Sequence, residues 1–289
     1  MLAVIGTVPE PDFPLVQGLV SLQRQCLTVQ GHVCPVHRGT PALLAAACQT
    51  ASALGLPPPW AYLIGDIGLG DGSRTLYKHL ADTLGSQEFS TLCFHYLQPD
   101  VDWHNRVFFA IEAMARQPCL IADAGFMYVA KMSGLAARYD LFTPDAGELA
   151  FLADEEAPHP FYTRGFILHE DNLVPDLIRR AYAFENAARY LLVKGKTDYV
   201  ADKTGIIAVV REPEVENLEP MGGTGDTITG LAAALIAAGR PIPVAAWLAA
   251  RANRLAGSSA RPTPATQVTA LIEHIPQALL EALKQFPGL

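Results

Sequence analysis

The sequence predicts an α/β protein with a mostly parallel sheet that is covered by helices on both faces. Short apolar runs alternate with longer amphipathic or alanine-rich segments along most of the chain, as expected of repeated strand–helix units. The runs at 60–64 and 191–193 are apolar at every position, which indicates strands with both faces buried. Half of the 289 residues are hydrophobic and 17% are charged, so a large buried core is possible.

The elements can be assigned in order from these patterns. Strands are predicted at 2–7, 60–64, 90–97, 119–122, 141–144 and 191–195, followed by a hairpin at 199–210 that turns at 202–205. Helices are predicted at 42–54, from about 73 to 84, 103–115, 126–132, 145–152, 173–190, 231–238, 244–257 and 268–286. Thr40 is the expected N-cap of the first helix, with Pro41 in its first turn.

Two segments interrupt this alternation. Residues 18–37 remain unassigned, and residues 154–172 combine prolines, histidines and aromatic residues in a way that predicts an inserted surface loop or lid. We predict a single α/β domain over residues 1–289 that includes both segments.

Charge and cysteine content narrow the class of protein. A net charge of −8 argues against nucleic acid or an anionic membrane as the main partner. Five cysteines without a CxxC pair are typical of reduced thiols, so we expect a cytoplasmic protein. The first residues lack the basic region of a signal peptide, and the apolar run at 231–238 is too short to span a bilayer. The sequence leaves open whether the protein forms a homo-oligomer.

The stretch from Met221 to Gly230 carries the strongest functional signal. Gly222, Gly223 and Gly225 allow a sharp turn before a helix, whose unpaired N–H groups and dipole favour an anion such as phosphate. Asp226 would repel that anion unless it accepts a proton next to it, as a general base does. The alternative is that Asp226 only caps the helix.

Further polar residues follow the predicted strands, where α/β sheets bind their ligands. Lys194 could place its ammonium over a phosphate or simply lie at a strand end, and Asp123 could bind a ligand or cap the next helix. Glu148 could orient a metal-bound water or favour its first helical turn. His95 and His104 show no partner spacing, so we expect no catalytic role for them.

Together these stretches resemble a known family. The order Gly65-Asp-Ile-Gly-Leu-Gly70, Ala122-Asp-Ala124, Thr143-Pro-Asp-Ala-Gly-Glu148, Lys194-Gly195 and Gly222-Gly-Thr-Gly-Asp226 is similar to that of the ribokinase-like superfamily, most closely its NAD(P)H-hydrate dehydratase branch. The resemblance spans about residues 37–285 and implies a three-layer α/β/α sandwich. It departs from the family where Asp66 and Ile67 replace a proline and Asp145 replaces a histidine.

The resemblance also implies roles for individual residues. Asp226 would be the general base, and Mg²⁺ held through Glu148 would bridge the phosphates of ATP or ADP. The nucleotide phosphates would contact Lys194, Gly195, Gly222, Gly223, Thr224 and Gly225. The hydroxyl substrate, such as hydrated NADH or NADPH, would contact Gly68, Gly70, Asp123 and Asp145. Elimination of the new phosphate would then complete a dehydration.

Two other functions are compatible with the same motifs. One is an ATP-dependent kinase of the same fold that acts on a sugar or vitamin alcohol and releases the phosphorylated product. The other is a non-catalytic nucleotide-binding protein, although a carboxylate at residue 226 would not favour binding alone.

Overall fold

The computed structural model describes residues 1–155 and 173–286. Apart from its first two residues, the predicted lid at 154–172 lies outside the described residues.

The strands have the following bounds: β1 Leu2–Val8, β2 Val16–Leu19, β3 Ser21–Gln23, β4 Cys26–Val29, β5 His32–Pro35, β6 Trp60–Gly65, β7 Thr91–His95, β8 Cys119–Ala122, β9 Leu141–Phe142, β10 Tyr190–Val193, β11 Asp198–Asp202 and β12 Gly205–Val210. In the described ranges, nine strands form the main sheet in the order β12-β11-β10-β9-β8-β7-β1-β6-β2. The strands from β10 to β6 in this order run parallel, and β2, β11 and β12 add antiparallel edges. The segment β3-β4-β5 forms a separate antiparallel sheet.

The helices have the following bounds: α1 Thr40–Ala53, α2 Asp71–Thr83, α3 Val101–Glu112, α4 Gly125–Met132, α5 Ala146–Leu152, α6 Val174–Ala183, α7 Thr224–Ala237, α8 Ile242–Ala260 and α9 Val268–Gln285. Helices α1, α7, α8 and α9 contribute to one apolar core, and α2 to α6 contribute to a second core. The sheet lies between the two cores, which confirms the predicted α/β/α arrangement. None of the described helices is both long and apolar enough to cross a membrane.

A glycine inside α7 sets how closely this helix approaches α1. A Cβ atom built on Gly230 would lie 2.1 Å from the carbonyl oxygen of Leu43. Glycine therefore permits backbone contact between the two helices close to the first turn of α7, where Asp226 lies.

Most predicted elements are confirmed, and three local predictions are wrong. Helix α7 begins at Thr224 rather than at residue 231, because the motif itself forms the first turn after Gly223 at φ 100°. Helix α6 ends at Ala183 rather than at 190, and Glu185 then adopts a left-handed φ of 57°. The N-cap of α1 is Gly39 and not Thr40, whose hydroxyl is used elsewhere.

Candidate active site

The carboxyl ends of adjacent parallel strands bring the candidate residues together. His95 ends β7, Asp123 follows β8, Thr143 follows β9 and Lys194 follows β10. Asp226 lies in the first turn of α7 and faces this edge of the sheet. The convergence expected from the sequence therefore occurs around the N-terminus of α7.

The carboxylate of Asp226 is held from two sides. Its Oδ2 accepts the N–H of Gly39 at 2.6 Å, and its Oδ1 lies 3.0 Å from Nε2 of His95. Gly223 is the N-cap of α7 and no side chain caps that helix end, so the interpretation of Asp226 as a cap is wrong. Burial acts to raise the pKa of Asp226, but His95, Lys194 and the Gly39 N–H together lower it below its ordinary value. The side chain is thus an oriented carboxylate rather than a neutral acid at neutral pH.

The turn before Asp226 leaves several backbone N–H groups without a hydrogen-bond partner in the described part of the chain. Among the described residues, the backbone N–H groups of Gly223, Thr224 and Gly225 have no protein acceptor. On α8, Asn253 donates from Nδ2 to the carbonyl of Thr224 at 3.2 Å, which anchors the turn. Free N–H groups at the start of a helix, here 14 residues long, are suited to bind an anion such as phosphate.

Lys194 lies beside this turn but is already paired. Its Nζ donates to both carboxylate oxygens of Asp123, at 2.8 and 2.9 Å. A Cβ built on Gly225 would lie 3.6 Å from the same Nζ, so the ammonium is close to the turn. Burial disfavours the ammonium, yet Asp123 and Glu148 raise the pKa of Lys194 above its ordinary value. Lys194 therefore remains charged next to the unpaired N–H groups of the turn.

Asp123 is surrounded by protein donors. Besides Lys194, its carboxylate accepts the hydroxyl of Thr229 at 2.6 Å and the N–H of Ala124 at 2.9 Å. The hydroxyl oxygens of Thr229 and Thr143 also lie within hydrogen-bond distance of each other, at 2.9 Å. These bonds make Asp123 the link that fixes Lys194 to β8 and α7.

The start of α5 contains the two predicted acidic ligands. Asp145 and Glu148 form a capping box, in which the N–H of Glu148 donates to Asp145 at 2.7 Å and the N–H of Asp145 donates to Glu148 at 2.9 Å. Removal from water raises the pKa of Glu148 to about 8, Lys194 opposes this rise, and Asp145 and Asp123 add to it. Glu148 thus lacks a full compensating charge.

A buried arginine fixes the loop after Lys194. Arg254 on α8 donates from Nε to Asp198 at 2.7 Å and from its other nitrogens to the carbonyls of Arg211, Gly195 and Lys196 at 2.8, 2.9 and 2.9 Å. The N–H of Gly195 in turn donates to Asp198 at 3.0 Å. This network connects the end of β10 to the end of β12.

The loop after β6 is held in shape by hydrogen bonds to the side chain of Asp66, a residue of the same loop. The carboxylate of Asp66 accepts N–H groups from Gly68 at 2.9 Å, Gly70 at 3.1 Å and Ser73 at 2.8 Å. At the start of α2, the N–H groups of Gly70 and Ser73 are therefore occupied. Leu69, between the two predicted substrate-binding glycines, is 71% exposed.

The sequence interpretation missed two neighbours of Asp226. His95, for which we expected no catalytic role, contacts Asp226 directly, and Gly39 supplies the second donor. The available signal was the position of His95 at the end of an apolar strand. Next to the site, Tyr96 and Ala124 adopt φ values of 52°, and such backbone strain is concentrated at functional sites.

A metal ion at the centre of this group is not supported. Ligand atoms of His95, Asp123 and Asp226 lie within 4.8 Å of one another. Lys194 already neutralises Asp123, and Nε2 of His95 faces Asp226 as a hydrogen-bond partner. We therefore assign no metal to these three residues.

Comparison with solved structures defines the class of fold. A mutant of phosphofructokinase-2 from Escherichia coli is similar over 97% of this chain and 99% of that chain, with a TM-score of 0.57 and 12% identity. A ribokinase-like superfamily protein from Enterococcus faecalis is similar over 97% of this chain and 87% of that chain, with a TM-score of 0.55 and 14% identity. The fold is ribokinase-like.

Sequence comparison identifies the family. The profile of the NAD(P)H-hydrate dehydratase family matches residues 98–277, which is more than half of the chain. An uncharacterized protein of Methanocaldococcus jannaschii is 42% identical over 221 residues, or 76% of this chain and 90% of that protein. An ADP-dependent (S)-NAD(P)H-hydrate dehydratase of Cenarchaeum symbiosum is 29% identical over 54% of this chain and 50% of that protein. This chain belongs to the NAD(P)H-hydrate dehydratase family, which confirms the resemblance seen in its motifs.

Proposed function

We propose that this protein is a nucleotide-dependent NAD(P)H-hydrate dehydratase that uses Asp226 as its general base. The observation that carries the proposal is the position of Asp226 in the first turn of α7. The carboxylate is held by the Gly39 N–H and His95, while the adjacent N–H groups have no protein acceptor among the described residues and are available to phosphate. One helix end thus presents a proton acceptor and an anion site side by side.

In the first step, Asp226 takes the proton of the substrate hydroxyl. The hydroxyl oxygen forms a bond to the terminal phosphorus of ATP or ADP, and the bond from that phosphorus to its bridging oxygen breaks. The nucleotide leaves as ADP or AMP, respectively. The N–H groups of Gly223, Thr224 and Gly225 stabilise the transferring phosphoryl, with Gly222 giving the turn its shape. Lys194 and Gly195 lie beside the nucleotide phosphates.

In the second step, the new phosphate leaves with the electrons of its carbon–oxygen bond. The neighbouring ring carbon loses a proton, and the electrons of that carbon–hydrogen bond form the double bond of NADH or NADPH. The net change is removal of water with hydrolysis of one phosphoanhydride bond. A kinase stops after the first step.

The residues near α5 fit a divalent cation. Partial burial and the nearby carboxylates raise the pKa of Glu148 to about 8, and Lys194 offsets this rise only in part. An additional positive charge would be stabilised there, and Glu148 would hold Mg²⁺ through water. Asp145, the N-cap of the same helix, would contact the substrate. When bound, Mg²⁺ would neutralise charge on the nucleotide phosphates.

The opposite side of the site is proposed for the hydrated nicotinamide ring. The exposed loop around Gly68 and Gly70 would contact the ring, whereas Asp123 acts through Lys194 because its carboxylate is occupied. A cytoplasmic setting, where NADH and NADPH occur, is part of the proposal and is supported by the five free cysteines of the described chain.

The test is to incubate the protein with hydrated NADH or NADPH, Mg²⁺, and either ATP or ADP. We expect the near-ultraviolet absorbance of the reduced nicotinamide to return, with stoichiometric phosphate and either ADP or AMP. Asp226→Asn is the matched control, because it preserves shape and removes the proton acceptor. Absence of turnover with either nucleotide would refute the proposal.

Incubation with ATP and a panel of sugars and vitamin alcohols distinguishes a kinase from a dehydratase. A phosphorylated product that accumulates with one alcohol, and no recovery of NADH, would assign the protein to the kinases. Nucleotide binding without either reaction would indicate a binding protein.

A further inference from the structure

His95 is the buried side chain in the site that the proposed steps leave unused. It is fully buried at the end of β7. Its Nε2 lies 3.0 Å from Oδ1 of Asp226, and its Nδ1 lies 2.9 Å from the hydroxyl of Thr40. Since each ring nitrogen has a partner, the position of the ring and its rotation are both fixed.

The partners also define where the ring carries hydrogen. An ionised carboxylate only accepts hydrogen bonds, so Nε2 must be the donor to Asp226. The hydroxyl of Thr40 can donate or accept, and it can therefore serve Nδ1 whether the ring is neutral or protonated. His95 is a donor to Asp226 in both charge states.

We propose that His95 is the positioning residue that holds the Asp226 carboxylate in place for proton transfer. This inference rests on the proposed role of Asp226 as the base. The Gly39 N–H and His95 Nε2 engage one oxygen each, and the Asp226 side chain is still 13% exposed. A substrate hydroxyl can reach a remaining lone pair without displacing either donor.

The surrounding charges give His95 an additional electrostatic effect. The hydrogen bond and charge of His95 lower the pKa of Asp226 against the effect of burial. Among the described residues, the other titratable or charged groups near the pair are Asp123, whose Oδ2 is 3.7 Å from His95 Nε2, and Lys194, Glu148 and Tyr96. Arg38, which precedes the Gly39 donor, also places its side chain against Gly222 at the same turn. Removal of the donor would therefore raise the pKa of Asp226.

The experiment compares His95→Phe and His95→Gln with His104→Phe. Phenylalanine keeps an aromatic ring without a donor, and glutamine keeps a donor. His104 is an equally buried histidine on α3 that bonds Tyr139 and Ser133, each at 2.8 Å, away from the site. The readouts are kcat and KM across pH and nucleotide affinity, with circular dichroism to verify folding.

We expect His95→Phe to lower kcat by about 10- to 100-fold, the rate equivalent of a charge-assisted hydrogen bond. Nucleotide affinity should persist, and the acid limb of the kcat/KM profile should move to higher pH. His95→Gln should restore part of kcat. His104→Phe should change thermal stability without moving the acid limb. A folded His95→Phe enzyme with a wild-type acid limb and wild-type kcat would overturn the inference.

A titration of the Asp226 carboxyl carbon by NMR keeps the test independent of turnover. It compares selectively labelled wild type with His95→Gln, His95→Phe and the control His104→Phe, using Asp226→Asn to assign the signal. If the wild type shows no turnover, the proposed dehydratase function is refuted. The titration still measures whether His95 lowers the pKa of Asp226. An Asp226 signal that titrates identically in wild type and variants would overturn the inference, as would any variant set in which only His104→Phe moves that signal.

Discussion

Replacement of Arg254 by methionine should destabilise the fold strongly. Arg254 and Asp198 form a buried ion pair at 2.7 Å, and the two residues are 8% and 1% exposed. Methionine has similar length but removes the charge and every donor. Asp198 would then retain only the N–H of Gly195 at 3.0 Å among the described donors.

The expected loss of unfolding free energy follows from the burial of the Asp198 carboxylate, which would remain without its partner. Loss of one partner from a buried ion pair costs about 3–5 kcal/mol of unfolding free energy. For a chain of this size, each kcal/mol lowers Tm by about 2–4 °C, so the expected decrease is of the order of 10 °C. A double variant, Asp198→Asn with Arg254→Met, removes the remaining charge and should recover part of this loss.

The dependence on pH distinguishes this mechanism from loss of packing. Burial raises the pKa of Asp198, and Arg254 opposes that rise. Without Arg254, the folded-state pKa lies still further above the unfolded value, so the unfolded state releases its proton first. The deficit of Arg254→Met should be smallest below the folded-state pKa of Asp198 in the wild type, because both proteins lose stability equally up to that pH. It should grow as pH rises from that value to the higher folded-state pKa of Asp198 in the variant.

The assay is thermal unfolding followed by circular dichroism for wild type, Arg254→Met and the double variant between pH 4 and 8. A deficit that is independent of pH, together with no recovery in the double variant, would refute the reasoning. The carbonyls of Gly195 and Lys196 also lose their donors in this variant, so weaker nucleotide binding should accompany the loss of stability.

Three further predictions concern the site and its support. Asp226→Asn should lower turnover by about 10²- to 10⁴-fold while nucleotide binding is kept or tightened, because a negative charge is removed beside the phosphates; near-normal turnover in a coupled assay would exclude Asp226 as the base. ATP or ADP with Mg²⁺ at about a hundred times Kd should stabilise the protein by about 2.7 kcal/mol, and a thermal-shift assay without any response at millimolar nucleotide would contradict the nucleotide site. Gly230→Ala should lower Tm despite the better helix propensity of alanine, since its Cβ would clash with the Leu43 carbonyl oxygen at 2.1 Å; a higher Tm would show that α1 and α7 separate at little cost.

The positions at the sheet edge were predictable because parallel strands end together. Asp123, Thr143 and Lys194 each follow an apolar run, and the order of strands and helices places such residues on one side. The partners that complete the site were not predictable in this way. His95 lies 55 residues from Thr40 and 131 from Asp226, so no local spacing in the sequence connects them.

The N-caps of α1 and α7 also differ from those suggested by the sequence. The sequence suggested Thr40 and Asp226 as helix caps, since both residue types favour those positions. In the structure, glycines with positive φ precede both helices, which frees the Thr40 hydroxyl and the Asp226 carboxylate for His95. Tertiary hydrogen bonds thus determined the roles of these side chains.

The hydrogen bonds of Asp66 have a consequence for the entropy of ligand binding. Because this carboxylate binds the N–H groups of Gly68, Gly70 and Ser73, the loop is held in shape by the chain itself before any ligand arrives. A ligand that contacts this loop does not have to order it, and the conformational penalty of association is reduced. The loop at α7 instead offers free donors whose water must be displaced. Recognition on one side of the site is therefore preorganised by the protein, whereas on the other side it is completed by the ligand.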